Sequence, residues 1–224
     1  MDARRRDVSR ETSLPTPPAV AATLCGDALG AVTAYAELLA GPGVAHGLIG
    51  PREVPRLWER HLINCAVVVP TVPTGASVID VGSGAGLPGL VWALLRSDLQ
   101  VVLVEPLLRR AEFLRGAVQE LGLTGVRVER ARAEDLQGRC IAEVVTARAV
   151  APLPRLLDLT LPLVQPGGRL LAFKGRTAGA ELTAASDTLC TAETSAVLTT
   201  YGENVLDPPT TIVEVSAPPV PPPG

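Results

Sequence analysis

Lysine is almost missing from this chain: of 20 lysines and arginines in 224 residues, only Lys174 is a lysine. A lysine that escapes so strong an arginine bias is either needed or kept by chance. Histidine is limited to His46 and His61. The four cysteines, Cys25, Cys65, Cys140 and Cys190, lie far apart with no CxxC pair, which argues against a zinc site and against a disulfide framework. No metal chemistry is indicated, and buried free thiols in a reducing compartment are the better reading, so a cytoplasmic protein is expected. No apolar run approaches the length of a membrane span, so a soluble protein with no membrane partner is expected. The opening MDARRRDVSRETSLPTPP lacks the apolar core of a secretory signal and reads as a disordered arm over 1–18. The closing APPVPPPG, 217–224, reads as an extended, disordered tail. An excess of positive charge is missing too. The net charge of −3 weighs weakly against a nucleic-acid substrate, although the placement of charge decides more than its sum.

What is present suits one domain, with 47% apolar residues and length enough for a core that needs no staples. Residues 19–41 read as one helix or two, and 53–69 as another, together a helical cap over 19–75. Arg52, Arg56 and Arg60 fall at i, i+4 and i+8 of the second helix and form one stripe. The stripe is either a solvated face paired with Glu53 and Glu59 or a rim that contacts phosphates. From Ala76 strands and helices alternate. Strands are expected at 77–81, 100–105, 125–130, 141–146 and 168–174, and helices at 87–95, 107–121 and 179–190. The 107–121 helix carries an apolar stripe at Leu107, Ala111, Leu114, Val118 and Leu121. Two last strands, near 195–201 and 210–216, are joined by a polar turn that suits a hairpin. The pattern over 76–216 predicts an α/β fold: a mostly parallel, doubly wound seven-stranded sheet, helices on both faces and one antiparallel strand.

The run ASVIDVGSGAGLPG, residues 76–89, carries the most chemistry. A short apolar strand ends in Asp80, a turn follows with Gly82, Gly84 and Gly86, and Leu87 opens an apolar helix. Glycines let a backbone approach a ligand without side chains in the way. A pyrophosphate at the helix start would be repelled by the neighbouring carboxylate. S-adenosylmethionine, with its ammonium and sulfonium, would be attracted.

Ligands of open parallel sheets bind beyond the carboxyl ends of the strands, and charged residues gather there. Asp80 ends the first strand. Glu105 ends the second, placed for ribose hydroxyls. Arg132, Ala133, Glu134 and Asp135 follow the third, Arg148 the fourth, and Lys174 and Arg176 the fifth. Glu134 or Asp135 suits the adenine edge. Arg148 suits a cofactor carboxylate or an RNA phosphate. Lys174 suits an RNA phosphate or the target base.

The strings WERHLINC (58–65), DVGSGAGLPG (80–89), VEPLLRRAEFL (104–114), RAED (132–135), ARAVAPL (147–153) and FKGR (173–176) together resemble the glucose-inhibited division protein B family, the type G methyltransferases of small-subunit ribosomal RNA. The resemblance covers roughly residues 20 to 200. It implies a class I, Rossmann-like methyltransferase fold with an N-terminal helical cap, and S-adenosyl-L-methionine as cofactor. It implies methylation at N7 of one guanine in 16S rRNA of the small ribosomal subunit. Motif by motif, it puts Gly82 and Leu87 against the cofactor, Ala133 and Glu134 at adenine, and Arg148 at the closure of the site. Many relatives have Asp-Ser where this chain has Glu105-Pro106, so the acid is kept in kind. Arg56, Arg60, His61, Lys174 and Arg176 are the expected RNA contacts. Guanine N7 carries an in-plane lone pair and no proton, so a positioning mechanism is expected, with no catalytic residue in the strict sense and Arg148 and Lys174 assisting. A nicotinamide-dependent oxidoreductase, a small-molecule methyltransferase and a non-enzymatic RNA-binding scaffold are the competing readings.

Overall fold

The computed structural model describes residues 14–219. The expected disorder of residues 1–13 and 220–224 lies outside the described residues. The chain enters through a helical cap: α1 (Ala19–Cys25), a 3₁₀ turn at Gly26, α2 (Leu29–Leu38) and a π turn over Leu39–Gly43. By length and composition the run Ala19–Gly43 could cross a membrane, against the expectation that no such run exists. Its apolar side is used inside the protein. Val32, Tyr35, Ala36 and Leu39 are buried in a core shared with the sheet, and Gly26 and Pro42 interrupt the run.

The second cap segment is not the regular helix expected over 53–69. It runs as a 3₁₀ turn (Pro51–Arg56), a π turn (Trp58–Ile63), the short α3 (Asn64–Ala66) and a 3₁₀ turn (Val69–Thr71). Pro51, Pro55 and Pro70 each withhold a backbone donor, so a regular i→i−4 ladder cannot run through. The broken winding also removes the strict i, i+4 alignment of Arg52, Arg56 and Arg60.

Seven strands form one sheet: β1 (Ser77–Val81), β2 (Gln100–Val104), β3 (Val126–Glu129), β4 (Ala142–Arg148), β5 (Val164–Lys174), β6 (Ser195–Tyr201) and β7 (Thr210–Ser216). Their order is β3-β2-β1-β4-β5-β7-β6. The first five pair in parallel, and β7 lies antiparallel to both β5 and β6. This is the single reversed strand that the hairpin predicts. The helices are α4 (Gly89–Leu95), α5 (Leu108–Glu120), α6 (Leu153–Thr160), α7 (Ala178–Ala184) and α8 (Ser186–Thr191). The helix expected from Leu87 therefore starts at Gly89. Leu107 belongs to the turn before α5 and is 54% exposed, while Phe113 and Ala117 join the buried stripe in its place. Arg148 is the last residue of β4 and does not follow it.

Period-2 alternation sorts the strand side chains into two cores. Val78, Val101, Leu103, Val144, Leu171 and Phe173 face the cap and α4. Ile79, Val81, Val102, Val145, Leu170 and Ala172 face α6 and α7. The burial expected of the free thiols holds for Cys25 and Cys65 but not for Cys140 or Cys190. The tail is not loose where it is described. Ala217 N–H donates to the Gly168 carbonyl at 2.9 Å and Gly167 N–H to that of Pro218 at 2.9 Å. The arm from Leu14 is likewise held, since Trp58 Nε1 donates to the Pro15 carbonyl at 3.0 Å.

Candidate active site

The strand order reverses between β1 and β4, which opens a crevice at their carboxyl ends. The glycine turn fills one side of it. Gly82 and Ser83 donate their N–H groups to the Val104 carbonyl at 2.9 and 3.0 Å, tying the turn to β2. Gly82, Gly84 and Gly86 all have positive φ (67°, 58° and 101°). A Cβ on Gly82 would stand 2.7 Å from Val150 Cγ2, so the β4–α6 loop packs directly on the turn. Leu87 is buried beside it. From the cap, Tyr35 donates its hydroxyl to the Ala85 carbonyl at 2.7 Å, and burial holds that phenol well above its usual pKa.

Asp80 is fully buried. Its Oδ2 accepts the Gly89 N–H at 3.0 Å, and its Oδ1 has no hydrogen-bond partner among the described residues. Burial raises its pKa from 3.8 to about 7, with the nearby Glu105 charge adding to the rise and the Gly89 bond opposing it. Glu105 is buried as well. Its Oε2 accepts the Gly84 N–H at 3.1 Å and its Oε1 the Leu107 N–H at 3.0 Å, so the carboxylate spans the mouth between the turn and α5. Ala133 is buried in the next loop, whereas the Glu134 side chain turns outward and pairs with Arg155 at 2.7 Å. Only the Glu134 backbone is left to serve an adenine edge.

Arg148 continues the parity of Val144 and so points toward the cap. Nη2 donates to the Arg60 carbonyl at 2.8 Å and to His61 Nδ1 at 2.9 Å, and Nη1 to Cys65 Sγ at 3.4 Å. His61 Nε2 lies 3.2 Å from Glu53 Oε2. With Nδ1 accepting, the imidazole is the Nε2–H tautomer and donates to Glu53. Burial and the Arg148 charge lower its pKa to about 4. Glu53 also pairs with Arg60 at 3.0 Å. The solvated-face reading thus holds for Arg60 with Glu53, while Arg52 and Arg56 are exposed with no acidic partner among the described residues. Burial raises the Cys65 thiol to about 11, so it serves as a neutral contact for the guanidinium.

Two of the expected RNA contacts change role here. His61 is a link between Arg148 and Glu53. Lys174 has only 7% of its side chain exposed; Nζ donates to the Ala151 carbonyl at 2.8 Å and to Glu181 Oε2 at 2.8 Å. Glu181 also accepts the Leu153 N–H at 2.8 Å, and its carboxyl is held below the usual range, chiefly by the Lys174 bond. Lys174 therefore fixes the 149–153 loop from beneath. Strand parity explains this: Arg148 is in register with Phe173, so Lys174 points to the opposite face. Arg176 is exposed and lines, with Arg60, His61, Arg148 and Phe173, an open cleft of about 1130 Å³. Tyr35, Glu53, Cys65 and Glu181 were not singled out from the sequence as site residues. Glu181 follows Lys174 by seven residues with no motif to join them, Glu53 reads from the sequence only as a surface partner of the arginine stripe, and Tyr35 and Cys65 are tied to the site through long-range contacts.

A cofactor can be tested against this donor set. In dinucleotide folds the first helix amide after the glycine turn receives a pyrophosphate. Here that amide, Gly89 N–H, is taken by a carboxylate. The buried Asp80 Oδ1 without a donor, the open backbone at Gly84 and the Glu105 carboxylate suit a cationic sulfur nucleoside and repel a phosphorylated one.

The fold and this crevice define a class I S-adenosylmethionine-dependent methyltransferase. Among solved structures the chain is similar to an rRNA methylase from Streptococcus thermophilus, with TM-score 0.51 and 16% identity over 70% of this chain and 95% of that one. It is also similar to an O-methyltransferase family protein from Burkholderia thailandensis, with TM-score 0.57 and 14% identity over 85% of this chain and 63% of that one. At such identities the likeness concerns the fold alone. The family model described as rRNA small subunit methyltransferase G matches residues 29–204. Ribosomal RNA small subunit methyltransferase G of Thermobifida fusca is 55% identical over 201 residues, 89% of this chain and 85% of that protein. Its namesake in Streptomyces coelicolor is 53% identical over 211 residues, 93% of this chain and 88% of that protein. The chain belongs to the rRNA small subunit methyltransferase G family.

Proposed function

We propose that this chain is a cytoplasmic enzyme that methylates N7 of a guanine in 16S rRNA of the small ribosomal subunit, using S-adenosyl-L-methionine. The reading is carried by the family match over 29–204, which takes in both the glycine turn and the cap segment that holds Arg148. Asp80, Gly82, Gly84, Gly86, Leu87, Glu105, Ala133 and the Glu134 backbone are the residues that would hold the cofactor. When bound, it supplies an electrophilic methyl group on a cationic sulfur.

The rest is alignment by the chain. N7 presents a lone pair in the base plane, so no residue has to remove a proton. That agrees with a cleft whose imidazole is hydrogen-bonded on both nitrogens and whose only lysine is tied to Glu181. The cap takes both Nη2 hydrogens of Arg148 and one on Nη1. Nε–H and the second Nη1 hydrogen remain to orient an anion of the cofactor or the RNA. Holding the reacting atoms at about 3–3.5 Å supplies roughly 7–11 kcal/mol of such barriers. The cleft volume, about 1130 Å³, exceeds the usual range for small-molecule pockets, about 300–1,000 Å³, and favours a macromolecular substrate over a small one. The Asp80–Gly89 bond disfavours the oxidoreductase reading.

Purified chain, labelled S-adenosylmethionine and small-subunit rRNA lacking the modification provide the test. Label should appear as N7-methylguanosine in 16S rRNA, and Arg148→Ala should lower the rate about 100-fold with an unchanged circular dichroism spectrum. S-adenosylhomocysteine should raise the melting temperature, and NAD should not. Absence of N7-methylguanosine with the unaltered chain would overturn the reading.

A further inference from the structure

Arg60 and Lys174 pair with Glu53 and Glu181, and Arg148 is largely taken up by the cap, which leaves Arg176 and two Arg148 hydrogens in the cleft, and exposed Arg52 and Arg56 on the cap, as unpaired positive charge among the described residues. Three arginines line a separate concavity of about 520 Å³: Arg115 of α5, and Arg130 and Arg132 in the segment after β3. All three are exposed, and their side chains make no ion pair or hydrogen bond among the described residues. The one carboxylate in the lining, Asp135, accepts the Arg132 backbone N–H at 3.2 Å. Like charges facing one hollow repel one another, and the fold gains no contact from them. A chain of net charge −3 nevertheless keeps them together. The hollow lies at the carboxyl ends of β2 and β3, the same end of the sheet as the cleft at Arg148. Pro106 and Leu108 form its apolar side, and Leu108 is 47% exposed. A free phosphate ion would make no use of that side, whereas a nucleotide offers a charged phosphate and an apolar base face together.

We infer that the Arg115–Arg130–Arg132 hollow is a second contact surface for the rRNA, gripping the sugar-phosphate backbone beside the carboxyl ends of β2 and β3. The inference rests on the rRNA-methyltransferase reading above. Each phosphate neutralised by a side chain releases condensed counterions, so its loss is read directly in the salt dependence of binding.

The test is the double variant Arg115→Gln, Arg130→Gln, which spares the residues next to Ala133. A control with the same change in net charge is Thr191→Glu, Ser195→Glu, on exposed positions at the β6 edge, the opposite edge of the sheet from β3. Binding of a 16S rRNA fragment is measured across a salt series, together with kcat and KM for methylation and calorimetric affinity for S-adenosylhomocysteine. The arginine variant should lower the slope of log Kd against log salt by roughly 1.4–1.8, for two phosphates at about 0.7–0.9 each. KM should rise about tenfold, with kcat and S-adenosylhomocysteine affinity unchanged. The control should match the unaltered chain. An unchanged slope and KM in the arginine variant would overturn the inference, as would an equal shift in the control. Weakened S-adenosylhomocysteine binding would also overturn it, because the hollow would then belong to the cofactor site. Failure of the functional reading is separate: the unaltered chain would then methylate no rRNA, whatever the variants do.

Discussion

Asp80 is buried and His61 half-buried at the crevice, and their protons pull on stability in opposite directions. Asp80 has its pKa raised from 3.8 to about 7, first by burial. The folded chain keeps a proton that the unfolded chain has lost, so this contribution is complete below about pH 4 and is lost as pH rises toward 7. His61 has its pKa lowered from 6.5 to about 4, first by burial and then by Arg148. The unfolded chain binds the extra proton, so this contribution is present above pH 6.5 and is lost as pH falls toward 4. Between about pH 4 and 6.5 the two slopes oppose each other. Asp80→Asn should unmask the His61 term, with unfolding free energy rising by up to about 1.4 kcal/mol per pH unit. His61→Asn should unmask the Asp80 term and make stability fall with pH at a similar rate. Urea unfolding at three pH values across that window would show it. Two flat profiles would mean that neither group titrates as its surroundings dictate.

At the scale of the element, the glycine turn and the β4–α6 loop behave as one unit, because Val150 occupies the space a side chain on Gly82 would need. Gly82→Ala carries two costs. A left-handed φ of 67° costs an alanine about 1–2 kcal/mol, and the collision at 2.7 Å with Val150 Cγ2 adds about 1–3 kcal/mol. Adding Val150→Ala removes the second cost and leaves the first. The double variant should therefore be more stable than the sum of the single effects allows, by about 1 kcal/mol or more in a urea cycle. Strict additivity would show that the loop does not bear on the turn. The turn itself was legible in the sequence, since three glycines after a strand-ending acid leave few other conformations. So were the strands and the reversed β7, because alternation and a polar hairpin are local signals. The second cap segment was not: its prolines forbid a regular helix, but whether 3₁₀ or π turns replace it is decided by packing. The role of Lys174 could have been read from parity along β5, which sets it on the other face from Arg148. The joining of Arg148 to His61 and Cys65 spans more than eighty residues of chain and left no local trace.

For the molecule as a whole, the cap and the sheet were expected to divide at residue 75, yet they share one core. Tyr35, Leu39, Trp58 and Leu62 from the cap lie in the same buried cluster as Val78, Trp92, Leu103 and Phe173. Polar ties cross the same boundary: Trp92 Nε1 donates to the Cys65 carbonyl at 3.0 Å, and Asn64 Nδ2 to Thr210 Oγ1 at 2.7 Å. Removing the cap would expose that cluster and leave the Ala85 carbonyl without the Tyr35 hydroxyl, so we propose that 19–216 unfolds as a single cooperative unit. The two tryptophans suit the measurement, one in the cap and one on α4. Trp92→Phe leaves Trp58 to report on the cap, and Trp58→Phe leaves Trp92 to report on the helix under the glycine turn. In each variant the fluorescence transition should coincide with the circular dichroism transition of the same protein, with one midpoint for both probes. Loss of methyl transfer should follow the same curve, because Arg148 takes three of its acceptors from the cap. A cap signal that melts at lower urea than the sheet would instead describe a separate domain, and would mean that Arg148 is held by an element able to leave while the cofactor crevice stays folded.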